Sequence, residues 1–435
     1  MPQRLRHWAV DDSLAWGIRA FFRELDRRIK VLYAFIGIHL THQQLSQQYN
    51  QLYATALGAN PVELGTLTSL RSVVSALLAT PSGWLADRYG PKRVLLLGLT
   101  CVAAIAANYW VAGSWVVLMP AFLLMGVGQG LIMPYVDMAL ITYGRPENKS
   151  LIISLSRTLW AIPRTVAPLA AAVIVTHFGG ITADGIRPLY ALQLGLAVVV
   201  VLAIAVWLQP PSGAASDAPR ASVRGGRGFL QDFRDVFAGE RYLTRYLVMS
   251  AIRSIGMNTA MAFIPLWMVQ EKQADPYVLG AATIGGMVVA ILLQIPVGRL
   301  SDRIGRKKTF LLLRPFSWLA ELLLIVAPRP EALILVGVLG GNVSGGGEGG
   351  GIGGVSFIPN ITMEWEMVPE AKRGRWHGIL GLCRVLAFPA AILGGLLWQQ
   401  GFKVEILLLP ILLEAAVAVP ILLTIPETLG RTSSL

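Results

Sequence analysis

Roughly a dozen runs of about 20 apolar residues, separated by short polar loops, fill this 435-residue chain, and each matches the thickness of a bilayer's hydrocarbon core. No soluble core buries so many such runs. Only 14% of the residues are charged, where a globular domain carries about 25%. The spans read as 30–55, 62–83, 93–112, 115–142, 150–176, 188–208, 243–270, 276–298, 309–327, 332–363, 376–400 and 403–425. Lipid offers backbone groups no hydrogen-bond partners, so each run is expected to be a helix. The fold class expected is therefore an all-α integral membrane bundle of twelve transmembrane helices.

The net charge of +12 would point to nucleic acid in a soluble protein. Here it follows topology. With the N-terminus placed inside, 27 of the 37 Lys and Arg fall in inside segments, and only Arg187, Lys272, Arg329 and Lys403 fall outside. The positive-inside rule then puts both termini in the cytoplasm and the protein, multi-pass, in the plasma (cell inner) membrane. Nucleic acid drops out as a partner, and membrane lipid enters. Cys101 and Cys383 fall within spans, where they read as small buried apolar residues.

An internal repeat organises the chain. Gly83-Trp84-Leu85-Ala86-Asp87-Arg88-Tyr89-Gly90-Pro91-Lys92-Arg93 recurs as Gly298-Arg299-Leu300-Ser301-Asp302-Arg303-Ile304-Gly305-Arg306-Lys307-Lys308, each copy after the second span of its half. A weaker echo joins Pro134 and the Pro146-Glu147 turn to Pro359 and the Pro369-Glu370 turn. Two parallel six-span halves account for both. The expected units are an interfacial segment 1–29, a bundle 30–208, a linker with an amphipathic helix 209–242, a bundle 243–425 and a tail 426–435.

The paired G-x-x-x-D-R-x-G-x-K loops resemble the signature loop of the major facilitator superfamily, and the resemblance covers almost the whole chain. It extends to the Glu370–Arg375 run and to Pro426-Glu427-Thr428, which resembles the ending of many sugar-porter-like members. The resemblance implies two pseudo-symmetric six-helix bundles that rock about a central site. It also implies that the loop acts in that motion, the Asp near a helix N-terminus of the opposite half and the Arg residues in a charge network. Gly83, Asp87, Arg88, Gly90, Gly298, Asp302, Arg303 and Gly305 are the gating candidates on that ground. Spans 1, 4, 7 and 10 are implied to line the cavity, 2, 5, 8 and 11 to form the interface, and 3, 6, 9 and 12 to lie outside.

An ionisable group inside a span is costly unless it meets a cavity or a partner. Carried onto the implied arrangement, His39, His42, Gln43, Arg71, Arg157, Arg164, Arg253, Asn258 and Arg384 become the candidates for substrate contact, and Asp137 and Glu348 are the two acids among the cavity or interface positions. Five of them are arginines, and planar guanidinium groups bind carboxylate or phosphate in bidentate fashion, so an anionic solute is favoured. Arg314, Glu321 and Glu414 fall on outer helices, and Glu321 and Glu414 read as helix packing. Span one is unusually polar, with His39, Gln43, Ser46 and Asn50 on one stripe, and its histidines offer a proton carrier. Span ten holds ten glycines around Glu348, and the second half has about ten more residues than the first between hinge glycine and matching proline. A broken helix is expected there.

Departures from subfamilies narrow the reading. Gly126 stands where drug–proton antiporters usually carry Arg before Gln129-Gly130, and Ile255-Gly256-Met257-Asn258-Thr259 replaces the usual Gln-Gln-x-Ser-Gly of sugar porters. No nucleophile, metal or nucleotide constellation is present, so neither an enzyme nor a cofactor is expected. The expected function is secondary transport of a small organic, anionic solute by alternating access, with proton coupling as an option, in a monomer. The alternatives are a drug or metabolite efflux antiporter, or a non-transporting receptor on the same fold.

Overall fold

The computed structural model describes residues 27–79, 89, 91–143, 149–208, 241–343, 350–368, 376, 379–381 and 387–429. The segments 1–26 and 209–240, and the hinge residues Gly83, Asp87, Arg88 and Gly90, lie outside them, as do Glu348 and Arg384. The side chains of Asp137 and Arg157 also lie outside.

The described helices fall into twelve consecutive passages. Span one is α1 (Arg27–Ser46) and α2 (Asn50–Ala56). Spans two to six are α3 (Pro61–Ala79), α4 (Pro91–Val111), α5 (Met119–Tyr143), α6 (Lys149–His177) and α7 (Ala183–Trp207). Span seven is α8 (Arg241–Met261) with α9 (Ile264–Gln270), and spans eight and nine are α10 (Pro276–Ile304) and α11 (Arg306–Val326). Span ten is α12 (Ala332–Leu339), α13 (Gly351–Gly354) and α14 (Phe357–Met367). Span eleven is α15 (Phe388–Gln399). Span twelve is α16 (Lys403–Leu413), a π turn at Glu414–Ala418 and α17 (Val419–Leu423). Seven passages are long and apolar enough by themselves to cross a membrane.

Span ten is broken, as its glycines predict. Gly340 and Gly351 adopt φ of 121° and 71°, which side chains rarely tolerate, and a Cβ at Gly351 would sit 2.4 Å from two carbonyl oxygens of α12.

The apolar packing divides the bundle along its length. One core at the end far from the repeated loops mixes both halves, with Tyr49, Leu52 and Tyr53 in one cluster with Phe263, Trp267, Leu279 and Trp398. At the loop end the cores are separate. Ile29 to Leu40 pack with Val94, Ile132 and Ile204 of the first half, and Leu243 to Met249 pack with Phe310, Met363 and Leu422 of the second.

Small residues make the shared end possible. A Cβ on Gly65 of α3 would lie 2.2 Å from the carbonyl oxygen of Ala391 on α15, and one on Gly395 would lie 2.4 Å from that of Pro61. Ser69 Oγ donates to the Phe388 carbonyl at 2.6 Å in the same seam. Across the other seam Gly280 of α10 abuts Pro168 of α6, and Thr283 Oγ1 donates to Gln48 Oε1 at 3.0 Å. Among the described residues, these seams join the halves at the far end.

Candidate functional site

In the first half the geometry centres on Arg71. It sits mid-way along α3, where α5 crosses so closely that a Cβ on Gly126 would lie 2.8 Å from the Arg71 carbonyl oxygen. The crossing leaves no room for the arginine that drug–proton antiporters usually carry at this place. The Arg71 guanidinium is half-buried and has no ion pair or hydrogen bond to any described residue. Its charge acts on the phenol of Tyr109, whose hydroxyl is buried without a partner. The Tyr109 ring stacks on Tyr190 at 4.5 Å, and its backbone carbonyl accepts from Tyr53 Oη at 3.0 Å. Buried unpartnered atoms also occur at Tyr49 Oη, Gln48 Nε2, Gln51 Oε1 and Asn108 Oδ1. Such atoms are costly to bury unpaired, which marks the region as polar beyond the needs of packing.

The polar stripe of span one meets another helix. The Gln193 side-chain amide of α7 donates to the His42 carbonyl and, at 2.8 Å, to Ser46 Oγ, while Tyr190 Oη donates to Asn50 Oδ1 at 3.0 Å. His39 Nδ1 and His42 Nε2 lie 3.2 Å apart, both rings buried. The stripe is thus satisfied largely by span six, and only Gln43 is exposed.

In the second half Arg253 of α8 turns to outer helices. Its Nε lies 2.9 Å from Glu414 Oε1, and the other carboxylate oxygen of Glu414 is held by Arg314 and, at 3.0 Å, by Trp318 Nε1 of α11. Both guanidinium groups stand over the Phe310 ring, at 5.1 and 5.8 Å. Glu321, two turns beyond Arg314 on the same face, is buried and within its field. Sequence reasoning placed Arg314, Glu321 and Glu414 on outer helices, with the two glutamates as packing, and missed that Arg314 and Glu414 complete the surroundings of Arg253. The seven-residue spacing of Arg314 and Glu321 was the available signal.

The structure brings neither Asn258 nor Arg164 into contact with Arg71. Asn258 Nδ2 donates within its own helix to the Ser254 carbonyl at 2.7 Å, and Arg164 is half-buried on α6 and engaged.

The second repeat loop is closed within its own half. Asp302 pairs with Arg306, which also reaches Glu366 Oε1 through Nη2 at 2.9 Å. Glu427 accepts from the Arg306 backbone amide at 2.7 Å and also from that of Lys307, so it caps α11. Thr428 Oγ1 completes the network by donating to Glu366 Oε2 at 2.5 Å. Among the described residues, the partner of Asp302 is Arg306 of its own half. Gly305, with φ of 107°, leaves space for Glu427, whereas a Cβ on Gly298 would meet nothing. Arg303 stays exposed.

Comparison with known proteins identifies the scaffold. A probable 4-methylmuconolactone transporter of Cupriavidus pinatubonensis is 26% identical over 300 residues, 64% of this chain and 63% of that protein. A probable anion transporter of Oryza sativa is 28% identical over 39% of this chain and 37% of that protein. Multidrug resistance protein MdtG of Citrobacter koseri is 27% identical over 63% of this chain and 67% of its own. The chain thus spans less than two thirds of the length of the first two. In solved structures, a D-xylose–proton symporter superposes with a TM-score of 0.68 at 13% identity, covering 94% of this chain and 99% of that one. The family model described as Major Facilitator Superfamily matches residues 45–392 and 246–434, so the chain belongs to the major facilitator superfamily of membrane transporters.

Proposed function

We propose that this protein is a secondary transporter of small organic anions that works by alternating access, with Arg71 binding the carboxylate. One observation carries the reading: among the described arginines at least half-buried in spans, Arg71 alone has no ion pair or hydrogen bond to a described residue, while Arg253 and Arg314 share Glu414. An uncompensated guanidinium in a membrane is costly, and a carboxylate ligand relieves that cost with charge-assisted bonds. The names of the lactone and anion transporters among its relatives support the same class. The two halves, 30–208 and 243–425, rock about the cavity between them. With the repeated loops assigned to the cytoplasm of the cell inner membrane, the shared far-end core and separate loop-end cores correspond to a state open inward.

Uptake into proteoliposomes of labelled 4-methylmuconolactone, D-xylose and methyl viologen tests the sign of the cargo's charge. Flux is expected for the first alone. Arg71→Gln should weaken its binding by about 1.5–3 kcal/mol, or about 10- to 150-fold, with Arg71→Lys falling between. Transport of xylose or methyl viologen untouched by Arg71→Gln overturns the reading.

A further inference from the structure

The second half carries an ionic cluster that the fold does not require. Its outer helices α11 and α16 bring Arg314, Glu321 and Glu414 into the bilayer, whereas their counterparts α4 and α7 hold no Asp, Glu, Lys, Arg or His over 94–111 and 188–207. The first half packs the same layer with apolar and uncharged polar residues alone. Three buried ionisable groups and the half-buried Arg253 are thus retained at a cost that packing alone does not repay.

The arrangement is specific. Glu414 is the sole carboxylate between the two guanidinium groups, 6% exposed, and the helix widens into a π turn that begins at Glu414. Glu321 is 8% exposed and has no hydrogen bond to any described residue, so one carboxylate of the cluster is free to take a proton without breaking a bond. The surrounding charges are few. Tyr246 of α8 is bonded to Glu364 of α14, and Glu366 of α14 to Arg306; α12 and α13 bring no ionisable side chain. The charges of α10, at Arg299, Asp302 and Arg303, lie at its loop end.

We propose that Glu321, buried two turns along α11 from Arg314, and Glu414, paired with Arg314 and Arg253, form the proton-binding site that couples transport to the proton gradient. With both carboxylates ionised, the two arginines and two glutamates sum to zero. A proton added to a carboxylate oxygen leaves one net positive charge. Arg253 is the member most open to its surroundings, its side chain 26% exposed against 11% for Arg314, and it belongs to span seven, which family members use to line the cavity. A proton on Glu321 removes one of the two negative charges acting on Arg314, so Arg314 draws Glu414 more strongly and loosens its hold on Arg253; the path becomes attractive to an anion, which gives proton–anion symport, and releasing the proton to the other side restores the neutral cluster. The histidine pair plays no part in this scheme. This direction of coupling rests on the anion reading above, but the proton site itself does not.

The test uses the full chain in lipid nanodiscs, by infrared difference spectroscopy between about pH 5 and about pH 8. A carboxyl carbonyl band that grows on acidification is expected in the native protein, absent in Glu321→Gln and shifted in Arg253→Lys. Glu321→Gln removes no hydrogen bond and preserves shape, so it should fold; a native thermal transition confirms it. The proposal is overturned by a band unchanged in both Glu321→Gln and Glu414→Gln, or by no titrating carboxyl band. In proteoliposomes enclosing a pH-sensitive dye, a 4-methylmuconolactone gradient should drive proton entry, reduced about tenfold in Glu321→Gln while substrate exchange continues. Proton entry equal in the variant and the native protein also overturns it. Absence of lactone flux with the infrared band intact refutes the anion reading and leaves the proton site standing.

Discussion

Replacing Gly65 by alanine should move the conformational balance without touching any charged group. The added methyl would sit 2.2 Å from the Ala391 carbonyl oxygen, 2.9 Å from its carbon and 3.1 Å from Ile392 Cα, all backbone atoms of α15. A carbon and an oxygen settle no closer than about 3.2 Å, so α3 and α15 have to separate by about 1 Å at this seam. The Ser69–Phe388 hydrogen bond of 2.6 Å, one turn along, lengthens with them. Overpacking of this kind costs about 1–3 kcal/mol, which applies only to the state in which the far ends of the halves touch. In the state opened at the far end the methyl meets no neighbour. The ratio of the two states should therefore shift about 5- to 150-fold toward far-end opening. Spin labels on Asn60→Cys and Gln400→Cys, in a background lacking Cys101 and Cys383, report the far-end separation by double electron–electron resonance. Gly65→Ala should enrich the longer distances, whereas Gly195→Ala, whose methyl meets nothing, should not. An unchanged distribution in a folded Gly65→Ala protein would show that the seam does not open and would refute alternating access through it.

Other substitutions read the second half. Glu414→Leu leaves two guanidinium groups buried without their carboxylate and should destabilise the protein by about 3–5 kcal/mol, whereas Arg253→Leu leaves Glu414 with Arg314 and should cost clearly less; thermal unfolding in detergent compares them. Equal losses would mean that the two pairs are not coupled. Glu427→Ala removes the cap on the α11 amides and should cost about 0.5–2 kcal/mol, seen as faster amide hydrogen exchange at Arg306 and Lys307, and no change in exchange would contradict the capping geometry.

The architecture was legible because lipid simplifies the code. A backbone that has to bond internally and an apolar run of bilayer length admit few readings, and the twin loops at Gly83 and Gly298 gave the halves their register. The break in span ten was legible for the same kind of reason, since glycine at Gly340 and Gly351 is the residue that positive φ demands. Partnerships across the bundle were not. His39, Ser46 and Asn50 share a stripe, but nothing local says that Gln193 and Tyr190, some 140 residues away, complete it. Glu414 and Arg253 likewise meet across more than 150 residues. Helical spacing reports which side chains share a face and is silent on what that face touches.

That silence explains why the arginines sorted differently from their depth. Arg71 and Arg253 lie at similar depths on helices of opposite halves, and depth alone made them equal candidates for a ligand. Their described surroundings separate them: Arg253 has an acid on an outer helix of its own half, while the helix that crosses Arg71 meets it at Gly126, which brings backbone close, and among the described residues no carboxylate pairs with Arg71. A buried charge supplied with a carboxylate by its own bundle has less to gain from an anionic ligand than one left without. On the two proposals made above, the asymmetry divides the work between the halves, with anion capture in the first and charge switching in the second. In that scheme the seams at Gly65 and Gly395 hold the far end closed, so a ligand bound at Arg71 and a proton bound at Glu321 act on one shared equilibrium.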